Sequence, residues 1–213
     1  WVAFAGSLAG SGAGTAGSMG VDYLAYKDKP TWQGAAIAFG SATAGALAGA
    51  AVRDLDRSHR LAQIQEKMDS ELRTSEGRQA VIRYAEEQLQ GEGVDVGAAT
   101  YDPRLNDNAK YADALALTDP RTGNIYVGDG AFEDAMTLAS TLVHENVHRH
   151  DFINWGLRPI SLKEASQTEM RAYSRGLEFV RDYGGHVHLE QNNLDKITAI
   201  RDWQSGKIKD PPW

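Results

Sequence analysis

The stretch Leu142-Val143-His144-Glu145-Asn146-Val147-His148 decides how the rest of the chain is interpreted. It has the form HExxH and lies in a run of helical periodicity. Two imidazoles four positions apart on a helix differ by about 40° around the axis, so both can reach one ion. Glu145 is rotated by about 100° from His144 and flanks that ion. The spacing predicts a helix that presents two zinc ligands, His144 and His148, and one general base, Glu145.

The two sides of this helix differ in chemistry. This difference distinguishes two interpretations of the motif: a helix that lines a cleft, or a histidine pair on a solvated helix surface. Apart from Glu133 in the first turn, the side with the histidines carries small polar residues, whereas a solvated face usually carries long charged ones. We therefore favour the cleft wall. Asp129 is the predicted N-cap. The opposite side is an apolar arc of Phe132, Ala135, Met136, Ala139, Leu142, Val143 and Val147.

A third protein ligand is needed, because two histidines and a water leave a tetrahedral zinc ion one ligand short. The extended spacing HExxHxxGxxH fails, since position 154 is Asn. The remaining candidates are Glu164, Glu169 and the pair His186/His188, which we expect in a short strand-like piece.

Glu169 is the favoured third ligand, because it lies in the middle of an apolar helix face. The run Ser161–Tyr183 reads as a helix that ends at two glycines. A carboxylate within a buried face is costly unless it is paired or bound to a metal. Glu164 lies on the opposite side and has a structural role with Ser161 in a capping box. The apolar stripe consists of Leu162, Ala165, Ala172, Tyr173, Leu177, Val180 and Tyr183.

The other polar side chains near the motif have weaker assignments. Tyr173, His186 or His188 could donate a hydrogen bond to a tetrahedral oxyanion. His150 points away from the motif face, and His59 belongs to a charged helix, so both are expected at the surface.

The fold class follows from the remaining patterns. Residues 114–118 and 124–128 read as strands around Asp119-Pro120-Arg121-Thr122-Gly123, a hairpin signal. Helical periodicity dominates elsewhere after Arg53. We predict an α+β domain, mostly helical with a small antiparallel sheet.

Composition changes sharply near Val52. Residues 1–52 hold 15 Ala and 10 Gly but four charges, and they read as a small-residue helical segment before a domain of residues 53–213. The segment contains two small-residue tracts, Trp1–Gly20 and Gln33–Val52. Each has about the length of a membrane span, although Gly, Ser and Thr dilute the apolarity. Membrane contact of 1–52 is therefore kept open beside a packed or linker segment. The first residue is Trp1, which suggests a piece excised from a longer chain.

Charge and cysteine content exclude several classes. The chain has no cysteine, which removes disulfide scaffolds, thiolate metal sites and cysteine nucleophiles. With 22 basic and 29 acidic residues the net charge is −7, which disfavours nucleic-acid binding.

The motif followed by Glu169-Met170-Arg171-Ala172-Tyr173 resembles the gluzincin metallopeptidases. That resemblance implies a minimal zincin-like fold over residues 114–183, in which the downstream glutamate completes a His, His, Glu zinc site. It departs from the thermolysin-type pattern, because the position four after Glu169 is Tyr173 rather than an acidic residue.

The small-residue tract before a compact module also resembles the C-terminal toxin region of bacterial polymorphic toxins, including Rhs-type effectors. This resemblance is compositional. It implies a protein that is secreted or delivered into a target cell, with a cognate immunity protein as partner.

The sequence thus predicts a zinc-dependent endopeptidase that acts as a toxic effector. A water on the metal would attack a peptide carbonyl while Glu145 takes its proton. The alternatives are a zinc amidase acting on cell-wall peptide, a pore-forming segment within 1–52, and a noncatalytic module with a structural zinc. The presence of Glu145 argues against the last.

Overall fold

The computed structural model describes residues 56–107, 111 and 113–212. The chain divides into two units, Trp1–Arg57 and Ser58–Trp213. Nearly all of the described residues belong to the second unit. The helices and strands follow in this order: α1 (56–71), α2 (Ser75–Gly91), β1 (Ala99–Tyr101), β2 (Ala116–Thr118), β3 (Ile125–Val127), α3 (Ala135–Asn154), α4 (Leu162–Asp182) and α5 (Val187–Gln204).

Side-chain caps determine where α3 and α4 begin. Asp134 accepts a hydrogen bond from the backbone N–H of Thr137 at 2.7 Å and starts α3. Ser161 and Glu164 form the predicted capping box of α4. Gly184 and Gly185 follow α4 with positive φ angles of 99° and 79°. This left-handed backbone favours glycine, so the helix ends there.

The sheet has three short strands in the order β1-β3-β2. β2 and β3 form the predicted antiparallel hairpin, with Leu117 opposite Tyr126. β1 joins the other edge of β3 in parallel. β2 lies against α3, which brings the hairpin next to the helix that carries the HExxH motif.

One hydrophobic core joins the first helices, the sheet and α3. The apolar arc of α3 supplies Ala139 and Leu142, and Leu138, which was not assigned to that arc, is fully buried beside them. α4 adds its C-terminal half to the same cluster. The other largest members of this core are Ile64, Met68, Val81, Ile82, Leu89, Ile125, Val127, Phe179 and Val180.

The predicted fold class, α+β with mostly helices and a small sheet, is confirmed, but three local predictions were wrong. The sheet is mixed, because β1 pairs in parallel. Asp129 does not cap α3, since it begins a separate 3-10 turn, Asp129–Phe132. His186 and His188 do not lie in a strand: the side chain of His186 caps the N-terminus of α5.

The buried stripe predicted for α4 is shorter than expected. Ala172, Leu177, Val180 and Tyr183 are buried, but Leu162 is 60% exposed. Leu162 is the first residue of the helix, and the packed part of α4 begins beyond it.

No helix within the described part of the chain is long and apolar enough to cross a membrane. The helical segment predicted for residues 1–52, and its membrane contact, lie outside the described residues.

Candidate metal centre

The imidazole rings of His144 and His148 lie next to each other, one turn apart on α3. Their Nε2 atoms lie 3.0 Å apart, and their ring centroids are separated by 4.8 Å. The polar side of α3 is covered rather than open, since Thr137, Ser140, Thr141 and His148 are all buried. His148 is the more enclosed imidazole, with 7% of its side chain exposed against 16% for His144.

Glu169 reaches the same point from α4, which packs against α3. Its carboxylate oxygens lie 3.7 Å from Nε2 of His144 and 3.6 Å from Nε2 of His148. The structure therefore brings together the three residues expected as zinc ligands.

Glu164 points elsewhere. Its carboxylate accepts a hydrogen bond from the backbone N–H of Ser161 at 2.9 Å and pairs with the guanidinium of Arg158. The hydrogen bonds from Arg158 and Ser161 lower the pKa of Glu164 to about 2. Glu164 thus has the capping role that its position suggested.

The donor atoms lie near the spacing of ligands around one ion. Donor atoms 2.0–2.1 Å from a tetrahedral zinc ion are about 3.4 Å apart. The two Nε2 atoms are 3.0 Å apart, and each lies near a different oxygen of Glu169, with His144 3.7 Å from Oε2 and His148 3.6 Å from Oε1. Two imidazoles and one carboxylate are also a donor set that zinc commonly takes in hydrolytic sites.

Glu145 is buried beside the two histidines, and a residue of the sheet forms a hydrogen bond to its carboxylate. The ligand atoms of His144, Glu145 and His148 lie within 4.8 Å of one another, so Glu145 is itself a possible metal ligand by distance. The hydroxyl of Thr118, the last residue of β2, donates to Oε2 of Glu145 at 2.7 Å. This contact orients the Glu145 carboxylate beside the two imidazoles.

Burial and mutual charge set the protonation of the cluster. Burial, together with the charge of the nearby His148, lowers the pKa of His144 to about 3. Burial also lowers the pKa of His148, but its pairing with the carboxylate of Glu169 and the charge of Glu145 outweigh burial, so the net shift is upward. Burial raises the pKa of Glu145. His144 is consequently neutral, the form in which an imidazole binds a metal.

Of the three candidate oxyanion donors, the structure brings one to the cluster. The ring of Tyr173 lies 4.6 Å from that of His144, centroid to centroid. His186 faces Asp134, with Nε2 3.4 Å from the carboxylate, and ten residues of helix separate Asp134 from His144, a distance of about 15 Å. His188 lies next to His186.

The remaining histidines are placed away from the centre, as expected. His150 is half-exposed and pairs with Asp95 at 2.5 Å, and His59 is exposed.

Sequence reasoning missed three neighbours of the cluster. Thr118 holds Glu145, and Thr168 lies 2.9 Å from Nδ1 of His148. Burial raises the pKa of Glu169, but its pairing with His148 and the charges of His144 and, most weakly, Lys196 outweigh burial and lower the pKa. Thr168 directly precedes Glu169, which is a local signal, but nothing in the sequence indicates that the charge of Lys196 on α5 acts on this cluster.

Comparison with known proteins identifies no relative: no family model, no curated protein and no solved structure matches this chain.

Proposed function

We propose that the domain of residues 53–213 is a zinc-dependent hydrolase of peptide bonds. The observation that carries this proposal is the meeting of His144, His148 and Glu169 at one point, with the Glu145 carboxylate held beside it. These three residues would hold zinc, which supplies a Lewis acid that activates water and polarises a carbonyl group.

Glu145 performs the proton transfer in this proposal. As the oxygen of water bonds to the peptide carbonyl carbon, Glu145 takes the proton that water loses. It then gives this proton to the amide nitrogen as the carbon–nitrogen bond breaks. Burial raises the pKa of Glu145, which brings a carboxyl group closer to the range useful for both steps.

Tyr173 is the residue best placed to donate a hydrogen bond to the oxyanion. Burial, followed by the charges of Glu169 and Glu145, raises the pKa of its hydroxyl. The phenol therefore keeps its proton at neutral pH and can donate it in a hydrogen bond.

The position of Glu145 supports a catalytic rather than a structural zinc. A structural site is closed by four protein ligands, and it needs no carboxylate beside them. The hydrogen bond from Thr118 engages Oε2 of Glu145, which favours a role as base over direct ligation.

Substitution of Glu145 tests the reaction directly. Glu145→Gln should retain about one zinc per chain but lose cleavage of an unfolded protein by roughly 10²–10⁴-fold, because the amide keeps the shape and loses the proton acceptor. The measurements are zinc content by atomic emission and peptide release with and without chelator. His144→Ala is the matched variant that should lose both zinc and activity. Cleavage by Glu145→Gln at the wild-type rate would exclude Glu145 as the base.

A parallel assay of the wild type on cell-wall peptides distinguishes a cell-wall amidase from a general peptidase.

The toxin context is a further part of the proposal, and it rests on the composition of residues 1–52. Expression of the chain in a bacterial cytoplasm or periplasm should arrest growth, and Glu145→Gln should relieve the arrest. Arrest by both chains would assign toxicity to a segment other than the metal centre, such as a pore-forming segment in 1–52.

A further inference from the structure

A chain of hydrogen bonds extends from His148 away from the ligand cluster. Nδ1 of His148 lies 2.9 Å from the hydroxyl oxygen of Thr168. That hydroxyl is 2.6 Å from Oδ2 of Asp151. Arg171 donates to the same oxygen from Nε at 3.1 Å and from Nη2 at 2.7 Å. Thr168 is 1% exposed and His148 is 5% exposed, so water has little access to the links between them.

The direction of each hydrogen bond follows from the number of protons available. A guanidinium can only donate, and a carboxylate paired with it can only accept. The single proton of the Thr168 hydroxyl therefore goes to Asp151. The oxygen of Thr168 is left as an acceptor, so Nδ1 of His148 must carry a proton and donate it.

We infer that Thr168, Asp151 and Arg171 hold neutral His148 in the Nδ1–H tautomer. This tautomer leaves the Nε2 lone pair facing His144 and Glu169, where the proposed function needs it for the metal. The three residues are positioning residues, because they act on His148 and not on the reacting atoms. The consequence for metal affinity rests on the proposed function, whereas the tautomer does not.

The two histidines differ in their outer partners. Within the described residues, the structure shows no hydrogen bond to Nδ1 of His144, whose Nε2 lies 3.0 Å from Nε2 of His148. At this distance one proton lies between the two Nε2 atoms of neutral rings, so Nδ1–H on His148 places Nε2–H on His144 in the metal-free protein. Changes in the Thr168 hydrogen-bond chain should therefore switch the two tautomers together and in opposite directions, whereas a general loosening of the fold would leave a mixture in each ring.

The test uses the full chain labelled with ¹⁵N-histidine. Long-range ¹H–¹⁵N correlation spectra of the metal-free protein, recorded at a pH where the imidazoles are neutral, report each tautomer. Competition with a chelator of known affinity reports zinc binding, and thermal unfolding reports folding. Thr168→Val removes the hydroxyl at nearly constant shape, and Thr168→Ser keeps it. Thr137→Val is the matched control, because Thr137 is also a buried threonine at 3% exposure.

Wild type and Thr168→Ser should show His148 with Nδ1–H and equal zinc affinity. Thr168→Val should shift His148 towards Nε2–H and weaken zinc binding by roughly 10–100-fold, the usual effect of losing a partner of a metal-bound histidine. Asp151→Ala should produce a mixture of tautomers, because the Thr168 hydroxyl can then donate to Nδ1. Thr137→Val should change neither measurement.

Two results would overturn the inference: an Nε2–H tautomer of His148 in the wild type, or an unchanged tautomer and zinc affinity in Thr168→Val. An unchanged tautomer in Asp151→Ala would show that the series of hydrogen bonds acting on His148 stops at Thr168. It would overturn the positioning role of Asp151 and Arg171. A wild type with the Nδ1–H tautomer that binds no zinc would instead refute the proposed function and leave the tautomer assignment in place.

Discussion

Glu169 and Glu164 show how two identical side chains on one helix take different roles. They lie five residues apart and face about 140° away from each other. Glu169 points into the interface of α3 and α4, whereas Glu164 completes a cap at the helix start. Substitutions of Glu169 and Glu164 therefore form a matched pair.

Glu169→Gln should weaken zinc binding by more than the roughly 10–100-fold typical of losing a residue that only supports a metal ligand, because a neutral amide replaces a charged ligand. Glu164→Gln should leave zinc affinity near that of the wild type, since Gln also serves the capping box. Chelator competition measures both variants. Equal zinc affinities in the two variants would contradict the assignment of Glu169.

Thr118→Val should slow cleavage by about tenfold or more without loss of zinc. The hydrogen bond from Thr118 lowers the pKa of Glu145, so removing it should raise that pKa. Glu145 must be deprotonated to act as a base, and the acid limb of the kcat/KM profile should therefore move to higher pH. Thr118→Ser keeps the hydroxyl and should restore the wild-type profile. Superimposable pH profiles for Thr118→Val and wild type would show that Thr118 does not tune Glu145.

At the scale of elements, α2 completes the outer edge of β1. Gln79 donates to the carbonyl oxygen of Ala99 at 3.0 Å and accepts from the N–H of Tyr101 at 2.8 Å. Glu86 accepts from the N–H of Ala99 at 2.6 Å. Strand edges with open N–H and C=O groups favour pairing with other chains. The side chains of α2 satisfy these groups and fix β1 against the helix.

Gln79→Met should lower the free energy of unfolding by about 1–2 kcal/mol, because it leaves two backbone groups of β1 without their partner. The helix propensities of Gln and Met are similar, so the effect should come from the edge of the strand. Urea unfolding measures it, with Glu87→Met at an exposed position of α2 as the control. Equal losses in the two variants would attribute the effect to α2 itself.

At the scale of the whole molecule, the proposed centre lies within one unit of the chain. The candidate ligands, Glu145 and its partner Thr118 all belong to the unit Ser58–Trp213. The hydrophobic core that holds α3 lies in that unit as well. The Ala/Gly-rich segment contributes no proposed ligand.

A chain beginning at Arg53 should bind one zinc and cleave a small peptide substrate at a rate close to that of the full chain. The measurements are the zinc content and turnover rate of the full and shortened chains. The Glu145→Gln variant of each chain serves as the blank. A shortened chain that folds but lacks zinc or activity would mean that residues 1–52 contribute to the site.

Local patterns in the sequence determined the helices that carry the candidate site. The spacing of His144 and His148 predicted α3, and the capping box with two terminal glycines predicted α4. The hairpin of β2 and β3 was also predicted from its turn. These features depend on residues a few positions apart, whose geometry is set by the backbone period.

Only the tertiary structure decided which residues surround the cluster. Thr118 is 27 positions from Glu145, Thr168 is 20 positions from His148, and β1 pairs in parallel with β3 across the intervening β2 segment of the chain. Contacts of this kind depend on how elements pack and in which register. Periodicity identifies the side of a helix that is buried, but it does not specify which residue of another element lies against that side.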